Sequence, residues 1–136
     1  MTQFRRVTDR ISVSPQIALA DIDEAARQGF RMIINNRPDG EDPVQPPSRD
    51  FEAAAAQAGL AYAHVPVRGG PSHEQVETQR RLIEQADGPV LAFCRSGTRS
   101  IVTWALGELV SGARSRDDLV RLGREAGYDL SGVLPG

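Results

Sequence analysis

The sequence predicts an α/β fold: a single three-layer domain over residues 1–136, its central sheet mostly parallel and flanked by helices. Two observations predict it. Short apolar runs rich in β-branched residues alternate with stretches of helical period, which is the rhythm of right-handed βαβ units. The length, 136 residues, suits one domain that buries its core without staples.

Taken in order, residues 11–17 form a short strand. Residues 21–28 form a helix opened by a capping box, with Asp21 at the N-cap and Glu24 three positions on, and stopped by Gly29. Residues 31–35 are a compact apolar strand. The run Asn36-Arg37-Pro38-Asp39-Gly40-Glu41-Asp42-Pro43 is turn chemistry, and with four prolines between positions 38 and 47 it makes a long loop of the kind that tends to carry function. Ser48 or Asp50 opens the next helix, which Gly59 ends. Residues 60–67 alternate as a strand and give way to Arg68-Gly69-Gly70-Pro71. Ser72 and Gln75 form a second capping box for a helix reaching about Ala86. Gly88-Pro89 turns the chain into a strand at residues 90–93, and a helix follows at residues 98–110. A last helix starts at Ser115 with Asp118 and ends near Gly127.

Composition excludes several chemistries. The formal net charge is −2, so no global field draws the chain to nucleic acid or to an anionic membrane. All 16 basic residues are arginine, which removes Schiff-base chemistry and a Walker-type lysine and leaves planar forks suited to oxyanions. One cysteine forbids an internal disulfide and any Cys-x-x-Cys site. The two histidines, His64 and His73, lack the neighbours a metal needs, so neither a metal nor any other cofactor is expected. No apolar leader or membrane-length run is seen. A free thiol kept for chemistry fits a reducing compartment, so the expected location is the cytoplasm.

That cysteine carries the functional signal. It lies in Pro89-Val90-Leu91-Ala92-Phe93-Cys94-Arg95-Ser96-Gly97-Thr98-Arg99-Ser100, read as buried strand, tight loop and helix. The thiol sits at the C-terminal end of a strand, where open α/β sheets place their chemistry. A helix N-terminus and cationic neighbours lower a thiol pKa from ~8.5 into the range of roughly 3.5–7.5. Cys94 is therefore expected to be a thiolate nucleophile and Arg99 the grip on an anionic substrate. Backbone N–H groups of Ser96, Gly97, Thr98 and Arg99 are expected to converge on the anion beside Arg95, with a Thr98 or Ser100 hydroxyl donating to the sulfur.

Cys-x4-Arg in this form resembles the active-site loop of rhodanese-type sulfurtransferases. Tyrosine and dual-specificity phosphatases share the plan with a loop one residue longer and a histidine before the cysteine, where Phe93 stands here. The rest of the chain does not resemble rhodanese. The strand and loop Gly29-Phe30-Arg31-Met32-Ile33-Ile34-Asn35-Asn36-Arg37-Pro38-Asp39-Gly40-Glu41 resembles the Ile-x-Asn-x-Arg segment of the dual-specificity phosphatase fold. Together with Tyr62-Ala63-His64-Val65-Pro66-Val67, these motifs resemble the bacterial family called beta-lactamase hydrolase-like protein, phosphatase-like domain, from about residue 12 to residue 130. The resemblance implies the dual-specificity phosphatase fold. It also implies one of two activities, because members carry both labels, and some are fused to a metallo-hydrolase domain that oxidises persulfide sulfur.

Phosphatases need a general acid for the leaving oxygen. The loop expected to supply it, Arg68-Gly69-Gly70-Pro71-Ser72-His73, holds no carboxylate. Asp39, Glu41 or His73 can substitute, while Arg37 and Arg68 end strands on the cysteine side as substrate contacts or ion pairs. His64 reads as a satisfied core histidine. Sulfur transfer needs no strong acid, because sulfite leaves as a stable anion. The expectation is therefore a sulfurtransferase working through a Cys94 persulfide, with thiosulfate or a persulfide as donor and a separate persulfide dioxygenase as partner. The alternative is a phosphatase acting on a phosphate ester through phosphocysteine. A third is an oxyanion-binding module without turnover.

Overall fold

The structure, a computed structural model, describes residues 4–135. Residues 1–3, part of the N-terminal stretch read above for a leader, lie outside the described residues, as does Gly136. The strands are β1 (Arg5–Arg6), β2 (Ile11–Ser14), β3 (Met32–Asn35), β4 (Ala61–His64) and β5 (Val90–Phe93). The helices are α1 (Asp21–Arg27), α2 (Ser48–Ala58), α3 (His73–Gln85), α4 (Thr98–Val110) and α5 (Arg116–Glu125). The sheet order is β1-β2-β5-β3-β4, antiparallel only between β1 and β2. The mostly parallel three-layer fold is thus as expected.

Alternation along the strands assigns the two layers. Ile33, Leu91 and Phe93 face one side, where they pack with Ile22 and Ala25 of α1 and Phe51 and Ala55 of α2. Ile11, Val13, Met32, Ile34, Val90 and Ala92 face the other side, against Ile83 of α3, Ile101, Trp104 and Ala105 of α4, and Leu119 and Leu122 of α5. A strand covered on both faces reads as a continuous apolar run, which is why β5 and β3 are legible as they are. β5 is the middle strand and is fully buried, so the chain leaving it emerges at the centre of the sheet edge.

Several boundaries differ from the expectation. The first strand stops at Ser14 and α1 at Arg27; β4 ends at His64, although Val65 and Val67 still donate to the carbonyls of Asn35 and Asn36. Asp21 is not an N-cap. Ala20 holds that position without a side-chain cap, and the Asp21 carboxylate accepts the N–H of Ala18 at 2.8 Å, closing the turn before the helix. Helix α2 opens at Ser48 with Pro47 as N-cap, and Gly59 ends it in the left-handed region at φ 78°. The Ser72–Gln75 box forms with both reciprocal hydrogen bonds, and Ser115 accepts the N–H of Asp118. The β1 pairing was not anticipated.

Candidate active site

The parallel strands β2, β5, β3 and β4 all point their C-terminal ends at one edge, and Cys94 leaves β5 between its two neighbours. The Cys94 N–H donates to Ser14 O at 3.4 Å, Asn36 N–H to Phe93 O at 2.8 Å, and Gln16 N–H to Arg95 O at 3.1 Å. Phe93, just before the cysteine, is buried against Phe51 with ring centroids 5.1 Å apart, so the base of the loop rests on α2. Cys94 is buried, while Arg95, Ser96 and Thr98 are exposed.

Gly97 is the pivot of the loop. It caps α4 at φ 92°, in the left-handed region, and its N–H donates to Cys94 Sγ at 3.1 Å. The Thr98 N–H is taken by Ser96 Oγ at 3.3 Å, and Ser96 Oγ donates to Thr98 Oγ1. Two parts of the expectation are thereby corrected. The Gly97 and Thr98 amides already have partners within the loop, and the sulfur is approached by the Gly97 amide rather than by a hydroxyl. The Ser100 hydroxyl is buried without a hydrogen-bond partner among the described residues. Among the described residues the N–H groups of Arg95, Ser96, Arg99 and Ser100 meet no protein acceptor. They are the amides that a bound anion can use, alongside the positive end of the α4 dipole.

Arg99 is held from its far end. Nη1 and Nη2 donate to the two carboxylate oxygens of Glu41 at 2.8 and 2.9 Å, and Nη1 also donates to Val67 O at 2.8 Å. A guanidinium has five N–H donors. These bonds leave Nε–H and the second Nη2–H, which together form the side-on fork that matches two oxygens of an oxyanion. The Arg99 pKa is raised, first by the Glu41 hydrogen bond and also by the adjacent Cys94 thiol.

Glu41 in turn accepts from Arg37 Nε at 2.9 Å, and Arg37 Nη1 donates to Gln16 Oε1 at 2.9 Å. Arg37 is buried; it braces the carboxylate that braces Arg99. The Glu41 carboxyl is lowered to about 2, chiefly by the Arg99 hydrogen bond and then by Arg37. It is ionised at any working pH, so it is not the proton donor that its place in the loop suggested. Asp39 is not placed as an acid either: its Oδ1 accepts the Ser48 N–H at 2.8 Å and secures the start of α2. His64 bonds the Arg37 carbonyl through Nε2 at 2.9 Å, in keeping with a structural role. Arg68, on the segment joining β4 to α3, and His73, the first residue of α3, are exposed, and neither side chain has a hydrogen bond or ion pair among the described residues.

Two supports could not be read from the sequence. Tyr128, beyond α5, donates its hydroxyl to Ser96 O at 2.8 Å, and a Cβ at position 97 would lie 2.0 Å from that hydroxyl oxygen. Only glycine satisfies both the φ and this approach. Burial raises the Tyr128 pKa, and the Cys94 charge adds to the effect. Beneath the loop, the Asn36 amide donates to Val65 O and Gln79 Oε1 at 2.9 and 2.8 Å, tying β3 to α3. No local signal marks either Tyr128 or Gln79, because their partners are distant in sequence.

This strand order, with a cysteine loop leaving the central strand, defines a phosphatase-like domain of the tyrosine and dual-specificity type. A Neisseria meningitidis protein described as a candidate phosphatase shares the fold at 35% identity, with coverage of 94% of this chain and 91% of that one and a TM-score of 0.83. The active form of Tk-PTP shares the fold at 24% identity, with coverage of 94% and 87% and a TM-score of 0.75. Residues 3–111 match the family described as beta-lactamase hydrolase-like protein, phosphatase-like domain, and the chain belongs to that family. Proteins described as beta-lactamase hydrolase-like are 42% identical over 125 residues in Xylella fastidiosa strain Temecula1 and 37% identical over 126 residues in Agrobacterium fabrum. The matches cover 91% and 92% of this chain, which spans 29% of the length of each relative. The sulfur-transfer expectation finds no support in these likenesses; the phosphatase alternative fits them better. Among the described residues no group of three or more His, Cys, Asp or Glu is placed to hold a metal ion, and no helix is long and apolar enough to cross a membrane.

Proposed function

We propose that the chain is a cysteine-dependent hydrolase of phosphomonoesters. The Cys94 thiolate attacks phosphorus opposite the ester oxygen; an S–P bond forms as the P–O bond to the leaving group breaks. Water then attacks the phosphocysteine, releasing phosphate and returning the thiolate. The supporting observation is the Arg99 side-on fork, immobilised by Glu41 and Val67 O beside the thiol and next to loop amides without protein acceptors. A fork and amides placed before substrate arrives stabilise charge on the equatorial oxygens without reorganisation.

The leaving group is less well served. Glu41 is ionised and Asp39 is engaged at α2, which leaves His73, the first residue of α3, as the side chain to supply a proton. That same scarcity of acid favours a second reading, sulfur transfer through a Cys94 persulfide, and so does the Cys-x4-Arg loop, one residue shorter than that of the phosphatases. A separate persulfide dioxygenase as partner belongs to that second reading alone.

One experiment separates the readings. Purified protein and Cys94→Ser are incubated with an aryl phosphate or with thiosulfate, quenched in acid and weighed intact. Turnover of the ester with a transient gain of about 80 Da on Cys94 supports the phosphatase. A gain of about 32 Da from thiosulfate, discharged by a thiol and absent in the variant, replaces it with sulfur transfer. Neither adduct nor turnover leaves an oxyanion-binding module.

A further inference from the structure

We propose that the mouth of the Cys94 cradle selects small phosphomonoesters that carry a second anionic group. The proposal rests on the phosphatase reading and adds a substrate class to it. Most arginines of this chain face a carboxylate, a carbonyl or an aromatic ring: Arg27 holds Glu24, Arg80 holds Glu77, Arg114 holds Glu108, Arg10 donates to Ile83 O, and Arg5 lies over the Tyr128 ring. Arg68 and Arg95 do not. Both are exposed, and neither side chain has a hydrogen bond or ion pair among the described residues. The side chains of Arg31, Arg81 and Arg124 also lack a hydrogen bond among the described residues, but they lie just before β3, within α3 and in the last turn of α5, away from the strand ends that form the site.

Placement separates the two at the mouth from those three. Arg68 follows Val67, whose carbonyl accepts from Arg99. Arg95 follows Cys94, and its own carbonyl accepts the Gln16 N–H. In the order β2-β5-β3-β4, the Arg95 backbone is thus tied to the β2 side of the loop and Arg68 leaves from the β4 side. The carboxylate bonded to Arg99, Glu41, is already shared between Arg99 and Arg37. One phosphoryl group satisfies the cradle and the Arg99 fork. Two guanidinium charges then remain at the rim without an internal counter-ion, in a chain whose net charge is negative. A second phosphate or carboxylate, within a side-chain length of the first, supplies the missing charge and matches the fork geometry.

The test compares esters with matched leaving groups: phenyl phosphate against benzene-1,3-diyl bisphosphate. Wild-type kcat/KM is expected to be at least about tenfold higher on the bisphosphate, well beyond the statistical advantage of its second phosphate. That preference should shrink as salt rises, because exposed charges are screened. Arg68→Gln should lose more on the bisphosphate than on phenyl phosphate, the latter serving as its folding control. Equal efficiency on both esters overturns the selectivity and leaves the phosphatase reading standing. A wild-type protein inert on both overturns that reading and this proposal with it. Faster hydrolysis of a singly phosphorylated peptide than of the bisphosphate assigns the mouth to protein substrates and also overturns the proposal.

Discussion

Replacing Glu41 by glutamine keeps the shape of the group that holds Arg99 and Arg37 while removing its charge. Because the folded pKa is depressed to about 2 from 4.5, the carboxylate contributes stability that is complete above about 4.5 and is lost as pH falls toward 2. Thermal melts of wild type and Glu41→Gln should therefore differ most near neutrality and converge in acid; a constant offset down to pH 2 would contradict this origin. Cys94→Ser should fold normally and lose turnover. Gly97→Ala meets both the left-handed φ and the Tyr128 hydroxyl, so it should unfold or displace the loop, with loss of activity measured alongside circular dichroism. Tyr128→Phe removes the bond to Ser96 O and should cost about 1 kcal/mol by denaturant titration. The closeness of Arg99 to Cys94 was legible because the loop is local. Its brace was not, because Glu41 stands 58 positions before Arg99 and looks like any turn residue.

At the level of elements, Asp39 tests the assignment of roles. Asp39→Ala should lower stability by about 1 kcal/mol through the start of α2 while aryl phosphate turnover persists. Loss of turnover in a folded variant would return Asp39 to the chemistry. With both carboxylates otherwise engaged, aryl phosphates should be hydrolysed much faster than alkyl phosphates, and His73→Ala should widen that gap; a flat dependence on leaving-group pKa would point to an acid elsewhere. The elements most faithfully legible were β5 and α4, where an apolar strand stops at a cysteine and a glycine begins a helix. The box at Ser72 formed because serine can reach the N3 amide with no competing donor. The box at Asp21 failed because the Ala18 N–H, three residues upstream, took the carboxylate first. β1 escaped notice because two arginines carry no apolar period.

Across the whole molecule, both packed layers share β3 and β5, so neither can open without exposing the faces of the same strands. Unfolding should be a single transition. The one tryptophan, Trp104, sits in the layer of α3, α4 and α5, so its fluorescence and far-ultraviolet circular dichroism should give coincident denaturation curves; separated midpoints would show that the layers melt independently. The layered architecture was readable from alternation, since period-2 burial and helical period are properties of neighbouring residues. The strand order was not, since it depends on which crossovers pack. The Glu41–Arg99–Val67 bridge has a thermodynamic consequence as well. An arginine side chain carries about 2 kcal/mol of rotamer entropy, and here much of that disorder is removed when the chain folds rather than when an anion arrives. Calorimetry of inorganic phosphate binding should then show a smaller entropic penalty in wild type than in Glu41→Gln, so that the brace acts on affinity through order rather than through contact.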